Sequence, residues 1–157
     1  MENLPFNLPD ALHFFSEYLK LTGVAHTGPE NSGDPVLLGK RLGLLNGSSW
    51  ITPWSTFFGR AYLPGVHLIN AGNEALQISF MQAHQNNLPV PPQSNTNAFT
   101  RMAIDLVELA QVDAVLITCS TMNRSYQQVQ AALEPYEVPV TQIDRPMMEK
   151  AILGGGK

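Results

Sequence analysis

The chain alternates between short apolar runs and longer stretches with helical periodicity, and that alternation begins only after residue 40. Before it, Leu12, Phe15 and Leu19 recur at helical spacing while Glu17 and Lys20 are left for solvent. Asn7 can cap this helix, Pro9 suits its first turn, and Gly23 is a plausible stop. Residues 22–39 are rich in Gly, Pro, Asn and Ser and read as a linker. Residues 1–39 are therefore set apart as an N-terminal helix and linker, and 40–157 as one α/β unit.

Within that unit, Arg41-Leu42-Gly43-Leu44-Leu45 predicts a strand closed by the loop Asn46-Gly47-Ser48-Ser49. Trp54, Phe57, Phe58 and Tyr62 predict a helix over 50–63, with Pro53 limiting where it starts. Pro64-Gly65 is a turn, 66–70 a second strand and 74–84 a second helix. Residues 86–97, with three prolines and four asparagines, predict the longest irregular stretch of the unit. A helix over 98–111 is expected to place Phe99, Met102, Leu106, Val107 and Leu109 near one face. Residues 113–118 are apolar after Asp113, as suits a strand covered on both faces. A helix over 125–136, a strand over 138–143 and a helix over 146–153 complete the pattern. Strands alternating with helices imply a parallel sheet sandwiched between helices.

Composition adjusts this picture modestly. The 44% hydrophobic content is ordinary, and the low 14% charged fraction suggests that part of the surface is covered by another chain or domain. A net charge of −4 without a Lys/Arg run argues against a nucleic-acid partner. No stretch approaches the roughly 20 apolar residues of a membrane span, and Met1-Glu2-Asn3-Leu4-Pro5 lacks the basic flank of a signal peptide. The single cysteine makes a reducing compartment the easier reading, with the cytoplasm as the expectation.

Ligands of open parallel sheets bind beyond the carboxyl ends of the strands. The candidate loops are 46–49, 70–73, 119–123 and 144–145, three of them crowded with small polar residues. Cys119 is the most reactive group among them. It follows a buried strand and precedes a helix, whose first N–H groups would favour thiolate or hold a carboxylate. The residues alone leave an inert core cysteine equally open. Other chemistry finds little support. Gly47-Ser48-Ser49 is not a phosphate-binding loop, no G-x-S-x-G elbow exists, and His13, His26, His67 and His84 lack metal-ligand spacing. Asp144 reads more readily as a helix cap than as a catalytic group, and Arg124 as either an anion contact or a solvated helix residue.

Certain segments resemble the aspartate/glutamate/hydantoin racemase superfamily. They are Leu42-Gly43-Leu44-Leu45 with its loop, Leu63-Pro64-Gly65-Val66 through Asn70, 112–121 with its Ile117-Thr118-Cys119-Ser120-Thr121 end, and Val138-Pro139-Val140 with Ile143-Asp144-Arg145-Pro146-Met147-Met148. The resemblance covers residues 40–157. The fold expected is α/β, a three-layer sandwich on a four-stranded parallel flavodoxin-like sheet of order 2-1-3-4, forming one racemase-type half domain. By resemblance Cys119 is the first-half cysteine, which exchanges a proton with the carbon beside a carboxylate. Asn46, Ser48, Asn70, Ser120 and Thr121 are the implied substrate-binding residues. The chemistry implied is cofactor-independent, because hydrogen bonds to the carboxylate stabilise the carbanion-like state.

In the family two such halves face each other, each giving one cysteine. This sequence departs from that pattern, with one half and one cysteine. The resemblance then implies a cleft completed from elsewhere, for which a homodimer placing two copies of Cys119 face to face is one arrangement, or a truncated product of a longer gene. The alternative is a non-catalytic domain that binds a small carboxylate or amino acid, or another protein.

Overall fold

The computed structural model of the protein describes residues 8–22 and 33–154. Four strands, β1 (Arg41–Asn46), β2 (His67–Gly72), β3 (Ala114–Ile117) and β4 (Val140–Gln142), form one sheet in the order β2-β1-β3-β4. Every pairing is parallel. Six α-helices accompany them among the described residues: α1 (Leu8–Thr22), α2 (Thr52–Tyr62), α3 (Glu74–Gln85), α4 (Gln93–Glu108), α5 (Tyr126–Leu133) and α6 (Arg145–Leu153). This is the α/β, three-layer architecture expected from the alternation, with the flavodoxin-like strand order 2-1-3-4 that the resemblance implied. No described helix is long and apolar enough to cross a membrane.

The pleat of β1 sorts its residues between two layers. Leu45 joins Val115 and Ile117 in a core with Phe99, Ala103 and Leu106 of α4 and Val129 and Leu133 of α5, all essentially inaccessible. Full burial of side chains this size contributes about 1.5–3 kcal/mol each, so this face carries most of the stability. Leu42 and Leu44 point the other way, toward α2, where they meet Leu116 and Ile143 across a largely apolar groove of 330 Å³ walled by Trp54 and Phe58. That face is only partly covered. Trp54, Phe57, Phe58 and Tyr62 of α2 all remain more than half exposed.

Local details follow the chemistry of the residues. Leu63–Val66 is a tight turn closed by a 3.2 Å bond from the Val66 N–H to the Leu63 carbonyl, with Gly65 at φ +83° after Pro64. That combination is the signature of a type II turn. Asn73 caps α3 by accepting from the Ala75 N–H at 2.9 Å. The starts of β1 and β3 are tied by Asp113, whose carboxylate accepts from the Arg41 N–H at 2.7 Å and from Lys40 at 3.0 Å. The Arg41 N–H first, and Lys40 next, hold this carboxyl below its ordinary value of 3.8.

Several expectations need correction. The irregular stretch after α3 ends at residue 92, because α4 begins at Gln93 rather than at residue 98. Its polar first turns are helical because they are packed: Asn95 is buried and donates to the Leu76 carbonyl at 2.8 Å, and Thr96 is buried beside it. Leu109 does not join the core face and stays 81% exposed. The helix expected at 125–136 is α5 followed by a 3-10 turn over Glu134–Tyr136. Helix α1 packs against α2, yet Leu12 and Phe15 of its predicted apolar stripe are mostly exposed, and Ala11, Tyr18 and Leu19 are the half-buried positions. The Asn7 cap, the Gly23 stop, His26 and most of the 22–39 linker lie outside the described residues, as does the tail beyond Gly154.

Candidate functional site

The carboxyl ends of β1 and β3 are neighbours in the sheet, since Leu45 pairs with Ile117. The chain leaving each strand therefore emerges at the same place. Between the two exits, and roofed by α3, lies a cavity of 260 Å³. Its polar lining is Ser48, Gln77, Thr118, Ser120 and Thr121 together with Cys119. Its apolar lining is Trp50, Ile51, Leu76, Phe80, Met81 and Met122.

Cys119 is partly buried at the position just before a 3-10 helix over Ser120–Ser125. Its sulfur lies 3.0 Å from the Thr121 hydroxyl, and either atom can donate. Gly47 backs the sulfur so closely that a Cβ placed there would lie 2.4 Å from it. A side chain at that position would collide with the thiol, which is the reason for glycine in this loop. The expected arrangement differs in one respect. The helix directly following Cys119 is a 3-10 segment, and α5 starts only at Tyr126. The positive end of an α-helix therefore does not begin at the sulfur, and the polar group shown beside it is the Thr121 hydroxyl.

Ser48 is 4% exposed, and its hydroxyl has no hydrogen-bond partner among the described residues. A buried hydroxyl left unpaired costs on the order of 1–3 kcal/mol, so this group is one that a partner would stabilise. Ser120 and Thr121 are exposed at the cavity mouth.

Asn46 and Asn70 do not join the cavity. Both were expected in strand-to-helix loops, yet Asn46 ends β1 and Asn70 sits inside β2. Their side chains meet on the α2 side of the sheet. Asn46 donates to the Asn70 amide oxygen at 2.9 Å, and Ser55 donates to the same oxygen at 2.8 Å. Asn70 in turn donates to Thr56 at 2.8 Å, and the Thr118 hydroxyl bonds the Asn46 amide oxygen. Hydrogen-bonding capacity that would be offered to a ligand is consumed internally, so these two asparagines lock the ends of β1 and β2 beneath α2.

Other candidates are placed elsewhere too. Asp144 precedes α6 without a side-chain capping bond, and Arg145 is paired with Glu149 at 2.7 Å. The Arg124 guanidinium donates to the Val90 carbonyl at 2.9 Å, which ties it to the chain before α4. No cluster of His, Cys, Asp or Glu able to hold a metal ion occurs among the described residues.

The sequence pattern did not disclose the α3 wall. Gln77 accepts from the Trp50 indole N–H at 2.7 Å, and this bond joins the chain after β1 to the helix after β2. The only signal was the adjacency of Trp50 to the first polar loop.

Comparison of the chain with protein-family models, with curated proteins and with solved structures gives no match in any of the three.

Proposed function

We propose that the cavity between the ends of β1 and β3 handles a small carboxylate, and that Cys119 exchanges a proton with the carbon beside it in the manner of the racemase superfamily. The observation that carries this reading is the convergence of a partly accessible thiol, an unpaired buried Ser48 hydroxyl and two exposed hydroxyls on one cavity. Ser48, Ser120 and Thr121 supply hydroxyl donors to the carboxylate, which stabilises charge delocalised onto it as the C–H bond breaks. The thiolate takes the proton as that bond opens, leaving the electron pair on the enediolate, and the S–H returns a proton to the same carbon. No metal or organic cofactor enters this scheme. A second copy of the chain, with its own Cys119 across the mouth, is the partner that would convert exchange on one face into inversion.

The experiment is solvent deuterium incorporation. Small carboxylates such as aspartate, glutamate and 2-phenylpropanoate are incubated with the protein in D2O, and loss of the Cα–H signal is followed by NMR. Incorporation that falls by about 100-fold or more in Cys119→Ala supports the reading, in line with the usual contribution of a positioned acid or base. Equal rates in the two proteins refute it.

One observation favours a binding role without turnover: Cys119 is the one titratable side chain in the cavity wall among the described residues. For such a protein the same variant shows unchanged carboxylate affinity and neither form incorporates deuterium.

A further inference from the structure

We infer that the acid taken by this cavity is a monocarboxylate bearing an uncharged apolar substituent, and not an amino acid or a dicarboxylate. The inference rests on the carboxylate reading above and specifies its substrate class.

The argument begins with what the wall lacks. Apart from Cys119, none of its described residues is Asp, Glu, Lys, Arg or His. An α-ammonium entering the cavity would find no carboxylate to balance it, and a second ligand carboxylate would find no cation. The hydroxyls can replace the hydration of one carboxylate, but a further ionic group moved from water loses hydration that no opposite charge in the wall offsets. Aspartate carries both extra charges, so the resemblance to amino-acid racemases does not extend to this wall.

What the wall offers is mixed. Ser48, Ser120 and Thr121 line it together with Cys119, the Thr121 hydroxyl lies 3.0 Å from the sulfur, and the buried Ser48 hydroxyl is without a partner among the described residues. That unpaired group is an observation independent of the cysteine, and a carboxylate oxygen is an acceptor that would satisfy it once the Ser48 side chain rotates about Cα–Cβ toward the cavity. The lining also holds Leu76, Phe80 and Met81 of α3 with Trp50 and Met122, all uncharged and largely apolar, beside Gln77, whose amide oxygen accepts from the Trp50 indole N–H. The volume of 260 Å³ leaves room for a phenyl or branched alkyl group joined to a carboxylate. The polar end fixes orientation and the apolar body supplies contact area, the usual division of labour in small-molecule sites.

The single cysteine provides a clean test, because alkylation of the 157-residue chain by iodoacetamide reports on Cys119 alone. The labelling rate is followed by intact mass with 2-phenylpropanoate, its neutral amide or L-aspartate present. The expected result is saturable slowing, at least fivefold, by 2-phenylpropanoate, with little effect from the other two at equal concentration. Protection by aspartate but not by the aryl acid overturns the substrate class and leaves the carboxylate site standing. Equal protection by the amide and the acid overturns carboxylate recognition itself. Protection by none of the three overturns both. A second variant checks the assignment of the apolar end. Met81→Lys, on a side chain already 46% exposed, is expected to shift preference by about tenfold toward 2-phenylsuccinate over 2-phenylpropanoate, and an unchanged ratio overturns the placement of the apolar body against α3.

Discussion

Placing a methyl group on Gly47 probes the contact between the first loop and the reactive sulfur. The added Cβ would lie 2.4 Å from Cys119 Sγ and 3.1 Å from Cys119 Cβ. Carbon and its neighbours rest at about 3.5–4.0 Å, so roughly an ångström of room must be opened in a loop that is buried. Overpacking of this kind costs about 1–3 kcal/mol. The cost has a definite source, which a double-mutant cycle isolates. Cys119→Ala removes the sulfur and leaves only the looser contact with the β-carbon, so Gly47→Ala should cost at least about 1 kcal/mol less in that background. Urea denaturation of the wild type, the two single variants and the double variant gives the four free energies. If Gly47→Ala is equally destabilising with and without the sulfur, to within about 0.3 kcal/mol, the close approach of loop and thiol is wrong. Since Gly47→Ala also turns the thiol away from its place beside Thr121, Cys119-dependent deuterium exchange should fall with it.

Two further outcomes follow from the geometry. Asn70→Ala strands the buried Asn46 amide and Thr56 hydroxyl, and should lower stability in urea by about 3 kcal/mol while leaving the iodoacetamide reactivity of Cys119 within twofold; a large change in reactivity would place Asn70 in the site after all. Asp113 is held below its ordinary value of 3.8 by the Arg41 N–H and Lys40, so its contribution is present above that pH and is lost as pH falls through the lower folded value. The melting-temperature gap between wild type and Asp113→Asn should therefore be widest near neutrality and close below pH 3.8, whereas a gap that widens in acid would contradict the assigned bonds.

The sheet was legible because its signals are local and redundant. A run such as Val115-Leu116-Ile117 reads as a covered strand, and Pro64-Gly65 as a turn, without any knowledge of partners. The start of α4 was hidden because Gln93-Ser94-Asn95-Thr96-Asn97 has the composition of a loop, and only the bond from Asn95 to the Leu76 carbonyl and the burial of Thr96 make it helical. The same limitation split the candidate site. Asn46 and Asn70 look like turn residues at the ends of apolar runs, but α2 brings Ser55 and Thr56 over them and turns them inward. Cys119, Ser48, Ser120 and Thr121 do share a cavity, since the ends of adjacent parallel strands must. The apolar wall from α3 depends on how far that helix tilts across the opening, which periodicity does not encode. The absence of charged residues from the described lining of that cavity was for the same reason invisible in the sequence.

Whether a small carboxylate occupies this cavity is most directly settled by an amide NMR titration of the full chain with 2-phenylpropanoate. The account predicts saturable shifts confined to residues 47–51, 76–81 and 118–122, which are distant in sequence and meet only around the cavity. Shifts centred instead on the α2 groove near Leu116 and Ile143, on the edge beside β4, or nowhere at all would contradict it.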